Sequence, residues 1–186
     1  MTRFVVLFLA LVGAARGAAA EPGRIGVMLD AGVPDGGHAS LVVRPARWMN
    51  LHAGVGTNLI SRGVRGGATV YLLPTRVAPS LNVDVGRFPA GDANPVARRL
   101  ELIGEDHPLL REVGYDYGDL HLGLDFGRED LTFYVHAGAT WVRGRVRNLD
   151  ETLAEGREDG VTVEVRQDPI VTAVGPSARL GFLVYF

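Results

Sequence analysis

The sequence predicts an all-β fold, an eight-stranded antiparallel up-and-down β-barrel. Three observations predict it: an apolar–polar alternation of period two, an even number of strand-like segments, and connections that are long at one end of the barrel only. Side chains that alternate in this way lie on opposite faces of a strand, and a helix of period 3.6 does not produce the pattern.

Eight segments of the chain carry the alternation. They are predicted at 24–33, 38–46, 49–60, 66–73, 78–88, 116–127, 130–142 and 175–186. The fifth and seventh connections, 89–115 and 143–174, are long and charged. Odd-numbered connections share one end of an up-and-down barrel. We therefore expect two long loops at that end, and short turns with both termini at the other.

The two faces of these strands differ in charge. One face is almost free of charge over about ten residues per strand, and at a tilt of about 40° such a strand crosses the roughly 25 Å apolar belt of a bilayer. The other face combines glycine with charged and imidazole side chains. A soluble, lipocalin-like barrel needs large apolar side chains in its interior. We therefore predict a transmembrane barrel whose two long loops are external.

The composition narrows the possible functions. The chain has 186 residues, 47% hydrophobic and 22% charged, and a formal net charge of −2. It is therefore neither disordered nor strongly basic, and nucleic acid is not an expected partner. The absence of cysteine excludes disulfides, thiolate zinc sites and cysteine nucleophiles. We expect no cofactor.

The first twenty residues have the composition of a secretory signal peptide. Arg3 supplies a positive charge, Phe4 to Val12 form an apolar core, and Ala18-Ala19-Ala20 provides small residues for cleavage. The apolar core is too short to span a bilayer, which needs about 20 residues. We therefore predict that 1–20 is removed and that 21–186 forms the barrel domain, exported through the periplasm.

The end of the chain carries a family resemblance. Counting back from Phe186 by twos, Val184, Phe182, Leu180 and Ala178 share one face. This ending resembles the C-terminal signature of bacterial outer-membrane barrels, a terminal phenylalanine preceded by alternating apolar residues. The mature chain is similar in architecture to the small eight-stranded barrels of the OmpA transmembrane domain and OmpX type. The resemblance implies an outer-membrane location in a Gram-negative cell envelope, with Phe182, Val184 and Phe186 as the signal for the barrel-assembly machinery.

The inward face is predicted to hold a polar network that fills the lumen. Its predicted members are Arg24, Asp30, Arg44, His52, Asp84, Asp119, His121, Asp125, His136 and Arg179. A two-residue turn at Arg128-Glu129 would place His121 opposite His136 and Asp125 opposite Thr132, with side chains about 5 Å apart. Such a pair of imidazoles suits a transition metal or a proton-binding site. A hydrogen-bonded core that fills the barrel explains the same residues, and no compact ligand motif is present. We predict no metal.

Enzymatic activity is not predicted. Eight-stranded outer-membrane enzymes that deacylate lipid A resemble this architecture and use a lipid-facing His-x-Ser pair. In His136-Ala137-Gly138 a glycine stands where that resemblance requires serine, and in His38-Ala39-Ser40 both polar side chains face inward. No nucleophile is therefore activated in the right place.

The expected function is structural, or a surface interaction through the external loops 89–115 and 143–174. Expected partners are outer-membrane lipids, the assembly machinery and an extracellular partner of the loops. An eight-stranded barrel leaves no continuous aqueous channel, so a general porin is not expected. Two alternatives stay open: a narrow ion or small-molecule pathway through a lumen widened by glycine (Gly26, Gly54, Gly56, Gly86, Gly123 and Gly138), and modification of lipid A.

Overall fold

The computed structural model describes residues 24–127, 130–145 and 170–186. Eight antiparallel strands form a closed barrel in chain order, each paired with its sequence neighbours and β1 paired with β8. The strands are β1 (Arg24–Val33), β2 (Gly36–Ala46), β3 (Met49–Thr57), β4 (Arg62–Tyr71), β5 (Val77–Gly91), β6 (Val113–Phe126), β7 (Leu131–Arg145) and β8 (Ile170–Tyr185). The predicted eight-stranded, all-β, up-and-down barrel is thereby confirmed.

The barrel has two distinct ends. At the terminal end, β1 begins and β8 ends, and the short β2–β3, β4–β5 and β6–β7 connections lie beside them. At the opposite end, the loop end, lie the connections β1–β2, β3–β4, β5–β6 and β7–β8. The strands around the long connections extend further than predicted, so these connections cover 92–112 and 146–169 instead of 89–115 and 143–174. The first contains helix α1 (Asn94–Arg99) and a 3-10 turn at Pro108–Leu110. Residues 146–169 and the predicted signal peptide lie outside the described residues.

No helix in the described part of the chain is long and apolar enough to cross a membrane.

The β6–β7 hairpin differs from the prediction by two residues in register. His121 lies opposite Gly138, and His136 lies opposite Gly123. The prediction of facing histidines is therefore wrong, as is that of Asp125 opposite Thr132. The turn is longer than two residues, since Phe126 already pairs with Phe133 and the following Gly127 has a φ of 116°.

Glycine faces bulky inward side chains across several strand pairs. A Cβ added at Gly56, Gly86 or Gly123 would overlap the ring of His38, Tyr117 or His136, respectively, each its cross-strand partner. These glycines therefore make room for rings and do not leave the lumen open. In the observed register of the β6–β7 hairpin, the His136 ring occupies the space that a Cβ at Gly123 would need, and Gly138 lies close to the backbone of Leu120 and His121.

The two faces of the barrel wall are opposite in character. Outward positions carry apolar side chains, such as Leu41 at 65% and Leu122 at 67% exposure. Inward positions carry buried polar or charged side chains on all eight strands, with Asp84 completely buried. The exposed outward residues include Ile25, Leu29, Val43, Val55, Val83, Val85, Leu120, Leu124, Val135, Leu180 and Phe182. The barrel is therefore apolar outside and polar inside, the reverse of a water-soluble protein.

Candidate functional site

The centre of the lumen is organised around Arg179 of β8. Its Nη1 donates to Asp84 Oδ2 at 2.5 Å, and its Nη2 donates to Asp35 Oδ2 at 2.5 Å and Asp119 Oδ2 at 2.8 Å. Its Nε lies 3.7 Å from Asp30 Oδ1. Asp35 comes from the β1–β2 turn, and the other carboxylates come from three different strands. One guanidinium therefore connects the turn to the interior of the barrel.

A second guanidinium, that of Arg65 on β4, binds Asp30 from the other side. Its Nη1 donates to Asp30 Oδ1 at 2.9 Å, its Nη2 pairs with the other carboxylate oxygen, and its Nε and Nη2 both lie near Ser40 Oγ. The Tyr134 hydroxyl also donates to Asp30, at 2.9 Å. Two donors to one carboxylate form the bidentate pair that guanidinium geometry favours.

These residues form what we call the central cluster: Arg65, Arg179, Asp30, Asp35, Asp84 and Asp119. Every member is buried. Four carboxylates face two guanidinium groups, so the cluster has a formal charge of −2 before any histidine is counted. His52 Nε2 lies 2.5 Å from Asp84 Oδ1, so the imidazole is a further polar partner of this carboxylate. Buried charges are tolerated only when they are paired and hydrogen-bonded in this way.

Two serine–histidine contacts lie in the same interior. Ser80 Oγ hydrogen-bonds to Asp125 and lies 3.3 Å from His136 Nε2, which is itself 3.1 Å from Asp125 Oδ2. His121 Nε2 lies 2.5 Å from Ser177 Oγ. All five residues are buried, Ser80 at 1% exposure. The Ser80 and Ser177 hydroxyls are therefore shielded from solvent, and both contacts help to fill the lumen.

One set of side chains in the described residues has the composition of a metal site. Ligand atoms of Asp84, Asp119 and His121 lie within 4.8 Å of one another. Arg179 donates to both carboxylates, so the guanidinium already supplies the positive charge that a metal would bring. Two members of the set, Asp84 and Asp119, therefore belong to the central cluster.

Each end of the lumen is filled by aromatic side chains. At the terminal end the Tyr185 hydroxyl lies 2.5 Å from Arg44 Nη2 and 2.9 Å from Asn50 Oδ1, and Asn50 Nδ2 donates to Tyr71 at 2.7 Å. At the loop end the ring of Phe88 packs on Tyr115 and Tyr117, with centroids 5.4 Å and 5.8 Å away. Phe88 is 1% exposed. The central cluster lies between these two groups of aromatic residues, which shield it from both ends of the lumen.

The predicted network residues fall into three groups. Asp30, His52, Asp84, Asp119, His121, Asp125, His136 and Arg179 are buried in the lumen. Arg44 also points inward, but it is half-buried at the terminal end, where its guanidinium donates to the hydroxyl of Tyr185. The prediction that Arg24 belongs to the lumen network is wrong. Its side chain is 48% exposed and pairs with Asp130. Arg24 is the first residue of β1 and therefore lies at the edge of the barrel.

The structure also adds residues that the sequence analysis missed. Arg65 was missed because β4 begins at Arg62, four residues before the predicted start at 66. Asp35 lies between the predicted strands 24–33 and 38–46, in a turn that folds its carboxylate onto Arg179. Ser80, Tyr134 and Ser177 hydrogen-bond to three of the predicted residues, namely Asp125, Asp30 and His121, respectively. Period-two alternation extended to Arg62 identifies Arg65 as inward-facing, whereas no local signal identifies Asp35.

Comparisons with models of protein families, with curated proteins and with solved structures find no match for this chain.

Proposed function

We propose that the chain is an outer-membrane β-barrel protein whose closed, polar lumen holds the wall rigid while the loop end faces the exterior. The observation that carries the proposal is the reversed distribution of polarity, with exposed Leu and Val outside and paired charges inside. A lipid environment makes such an outer surface favourable, because exposing apolar side chains to water costs about 25 cal/mol per Å².

The dimensions of the apolar surface support the same proposal. From Leu131 to Trp141 the outward positions of β7 are uncharged and cover about 33 Å of strand at about 3.3 Å per residue. For a strand tilt of about 40° this length corresponds to an apolar band about 25 Å high, the height found in outer-membrane barrels. The exported precursor with a signal peptide at 1–20, and recognition of Phe182, Val184 and Phe186 by the assembly machinery, belong to this proposal.

The filled lumen favours a structural or surface-interaction role over transport. Phe88 and Tyr117 close the loop end, and Arg179 crosses the centre with its carboxylate partners. A general porin needs an open aqueous channel, which eight strands do not provide. The loops at 92–112 and 146–169 are then the parts of the protein available to an extracellular partner.

A narrow ion pathway is the second candidate function, and one observation favours it. The central cluster has two more carboxylates than guanidinium groups, so a lumen that opened transiently would favour cations over anions. Lipid A modification has less support, because the Ser80–His136 contact is buried and no Ser–His pair faces lipid among the described residues.

Refolding of the mature chain into lipid vesicles tests the proposal. We expect an unboiled sample to migrate faster in gel electrophoresis than a boiled one, as a folded barrel in detergent does, and planar bilayers containing the protein to stay silent. A protein that stays compact and soluble without detergent or lipid would contradict the membrane location. Cation-selective conductance would support the second candidate instead, and an altered mass of lipid A from expressing cells would support enzymatic activity.

A further inference from the structure

In the described part of the chain, the outward face of the barrel carries charge only toward the loop end. Among the described side chains at outward strand positions, the charged ones are Arg62, Arg87, Asp116 and Arg143, on the neighbouring strands β4 to β7. All four lie toward the loop end. Three are arginines, so this part of the barrel surface has a positive formal charge.

Three of these residues form a row across adjacent strands. Arg87 is the register partner of Asp116, and Asp116 is the register partner of Arg143. We call these three residues the rim row. The next outward row toward the terminal end is Val85, Gly118 and Trp141. The rim row therefore lies immediately above the apolar surface, with an exposed tryptophan directly below it.

The two arginines of the rim row differ in their pairing. Arg87 Nε lies 3.6 Å from Asp116 Oδ1, and the two side chains are 68% and 55% exposed. For Arg143 no carboxylate lies within ion-pair distance in the ranges 24–127, 130–145 and 170–186. An exposed ion pair contributes little to stability, about 0–1 kcal/mol, so barrel stability does not by itself require these charges.

A cavity of about 260 Å³ opens beside the rim row. Arg87, Asp116 and Arg143 all line it, together with Tyr115, Glu112 and Ile170. The register of β5 with β6 shifts between Phe88 and Gly91, next to this cavity. The cavity is thus a concave polar site that borders directly on an apolar surface.

We propose that the rim row binds the phosphate of a phosphorylated glycolipid in the outer leaflet, with Arg143 as the main ligand and Arg87 as the second. This inference rests on the proposed membrane location. In that location the row lies at headgroup depth, where an aromatic belt such as Trp141 is typical. The acyl chains then lie on Val85 and Leu120, below the bound headgroup.

The chemistry of the three side chains supports phosphate over other headgroup parts. Guanidinium groups bind phosphate oxygens with two parallel hydrogen bonds, and such charge-assisted bonds are the strong ones. Asp116 repels phosphate, and it lies between the two arginines of the row, in ion-pair contact with Arg87. A lipid held through a bridging divalent cation would instead depend on the carboxylates of Asp116 and Glu112.

Lipid retention by the folded full mature protein tests the inference. The probes are diphosphoryl lipid A and the same lipid without phosphates, added to detergent-solubilised protein and detected by native mass spectrometry. We expect the wild type to retain the diphosphoryl lipid at least about tenfold better, since losing one charge-assisted pair costs about that factor. Equal retention of the two lipids by the wild type would overturn the inference without any variant.

Variants separate the arginines from the carboxylates. Arg87→Gln with Arg143→Gln is expected to lose the preference for diphosphoryl lipid, while Arg76→Gln, a matched charge change in an exposed turn at the terminal end, keeps it. Asp116→Asn is expected to keep it as well. A bridging cation would also explain a preference for diphosphoryl lipid. The arginine site would be overturned in its favour if Asp116→Asn loses this preference and a chelator abolishes it in the wild type.

The failure of this inference is distinguishable from failure of the proposed function. Each sample is first scored for heat-modifiable migration. A wild type that lacks this property contradicts the membrane barrel itself. A wild type that has it but shows no preference for phosphate contradicts the rim-row site alone.

Discussion

Arg179 Nη2 donates to Asp35 Oδ2 at 2.5 Å, although 144 positions separate the two residues in the chain. Asp35 lies in the turn that connects β1 with β2, and Arg179 lies on β8. Since β1 and β8 are also the pair of strands that closes the barrel, this contact links the first turn to the closing strand. The ion pair therefore stabilises the closed barrel, provided that the charges of the cluster stay paired.

The first prediction concerns this pair. Arg179→Met leaves the carboxylates of the cluster without their shared guanidinium, and we expect it to lower the free energy of unfolding by about 3–5 kcal/mol. The measurement is urea unfolding of the protein in lipid vesicles. Arg76→Gln is the control, since Arg76 is exposed at the terminal end, and we expect it to change little.

A double-mutant cycle isolates the contact itself. We expect Asp35→Asn to cost less in Arg179→Met than in the wild type, with a coupling energy of about 0.5–3 kcal/mol. Strictly additive losses would contradict the view that Asp35 and Arg179 act as a pair.

The second prediction concerns the glycines opposite bulky side chains. An Ala side chain at Gly138 would overlap the backbone carbonyl oxygen of Leu120, whereas nothing lies within 4 Å of a Cβ at Gly175. We expect Gly138→Ala to destabilise the barrel by about 1–3 kcal/mol through overpacking. Gly175→Ala is the matched control, and equal stability of the two variants in vesicle unfolding would show that β6 and β7 are not packed as described.

The third prediction tests the outward face. Leu122 is 67% exposed on the outer surface of β6, and Leu102 is 72% exposed in the connection between β5 and β6. In a bilayer, Leu122→Arg should cost about 2–4 kcal/mol of folding free energy, whereas Leu102→Arg should cost almost nothing. In a water-soluble barrel both exposed leucines would tolerate arginine, so indistinguishable folding yields in vesicles would argue against the membrane account.

Much of the fold is predictable from the sequence because the side-chain period of a strand is two. The alternation along 131–141 assigns both the strand and its two faces, and the even strand count places both termini together. Strand ends beside the long connections are less predictable, because the alternation weakens there. The extension of β5 to Gly91, past an irregularity in its pairing with β6, is one example.

Register and long-range contacts are the parts that the sequence does not specify locally. His121 and His136 are recognisably inward, but their alignment depends on turn length and on the space that Gly123 and Gly138 provide. Arg65 follows from alternation once the start of β4 is known. The contact between Asp35 and Arg179 depends on barrel closure, which no local pattern encodes.

The most direct test of the central claim uses the two tryptophans, Trp48 and Trp141, which are 39% and 43% exposed. Trp48 lies in the β2–β3 turn at the terminal end, and Trp141 lies toward the loop end on an outward position of β7. In vesicles containing lipids brominated at defined depths, we expect bromines near the headgroups to quench both fluorophores more strongly than bromines at the bilayer centre. Efficient quenching by aqueous acrylamide, with no effect of any brominated lipid, would contradict the outward-facing, lipid-contacting surface.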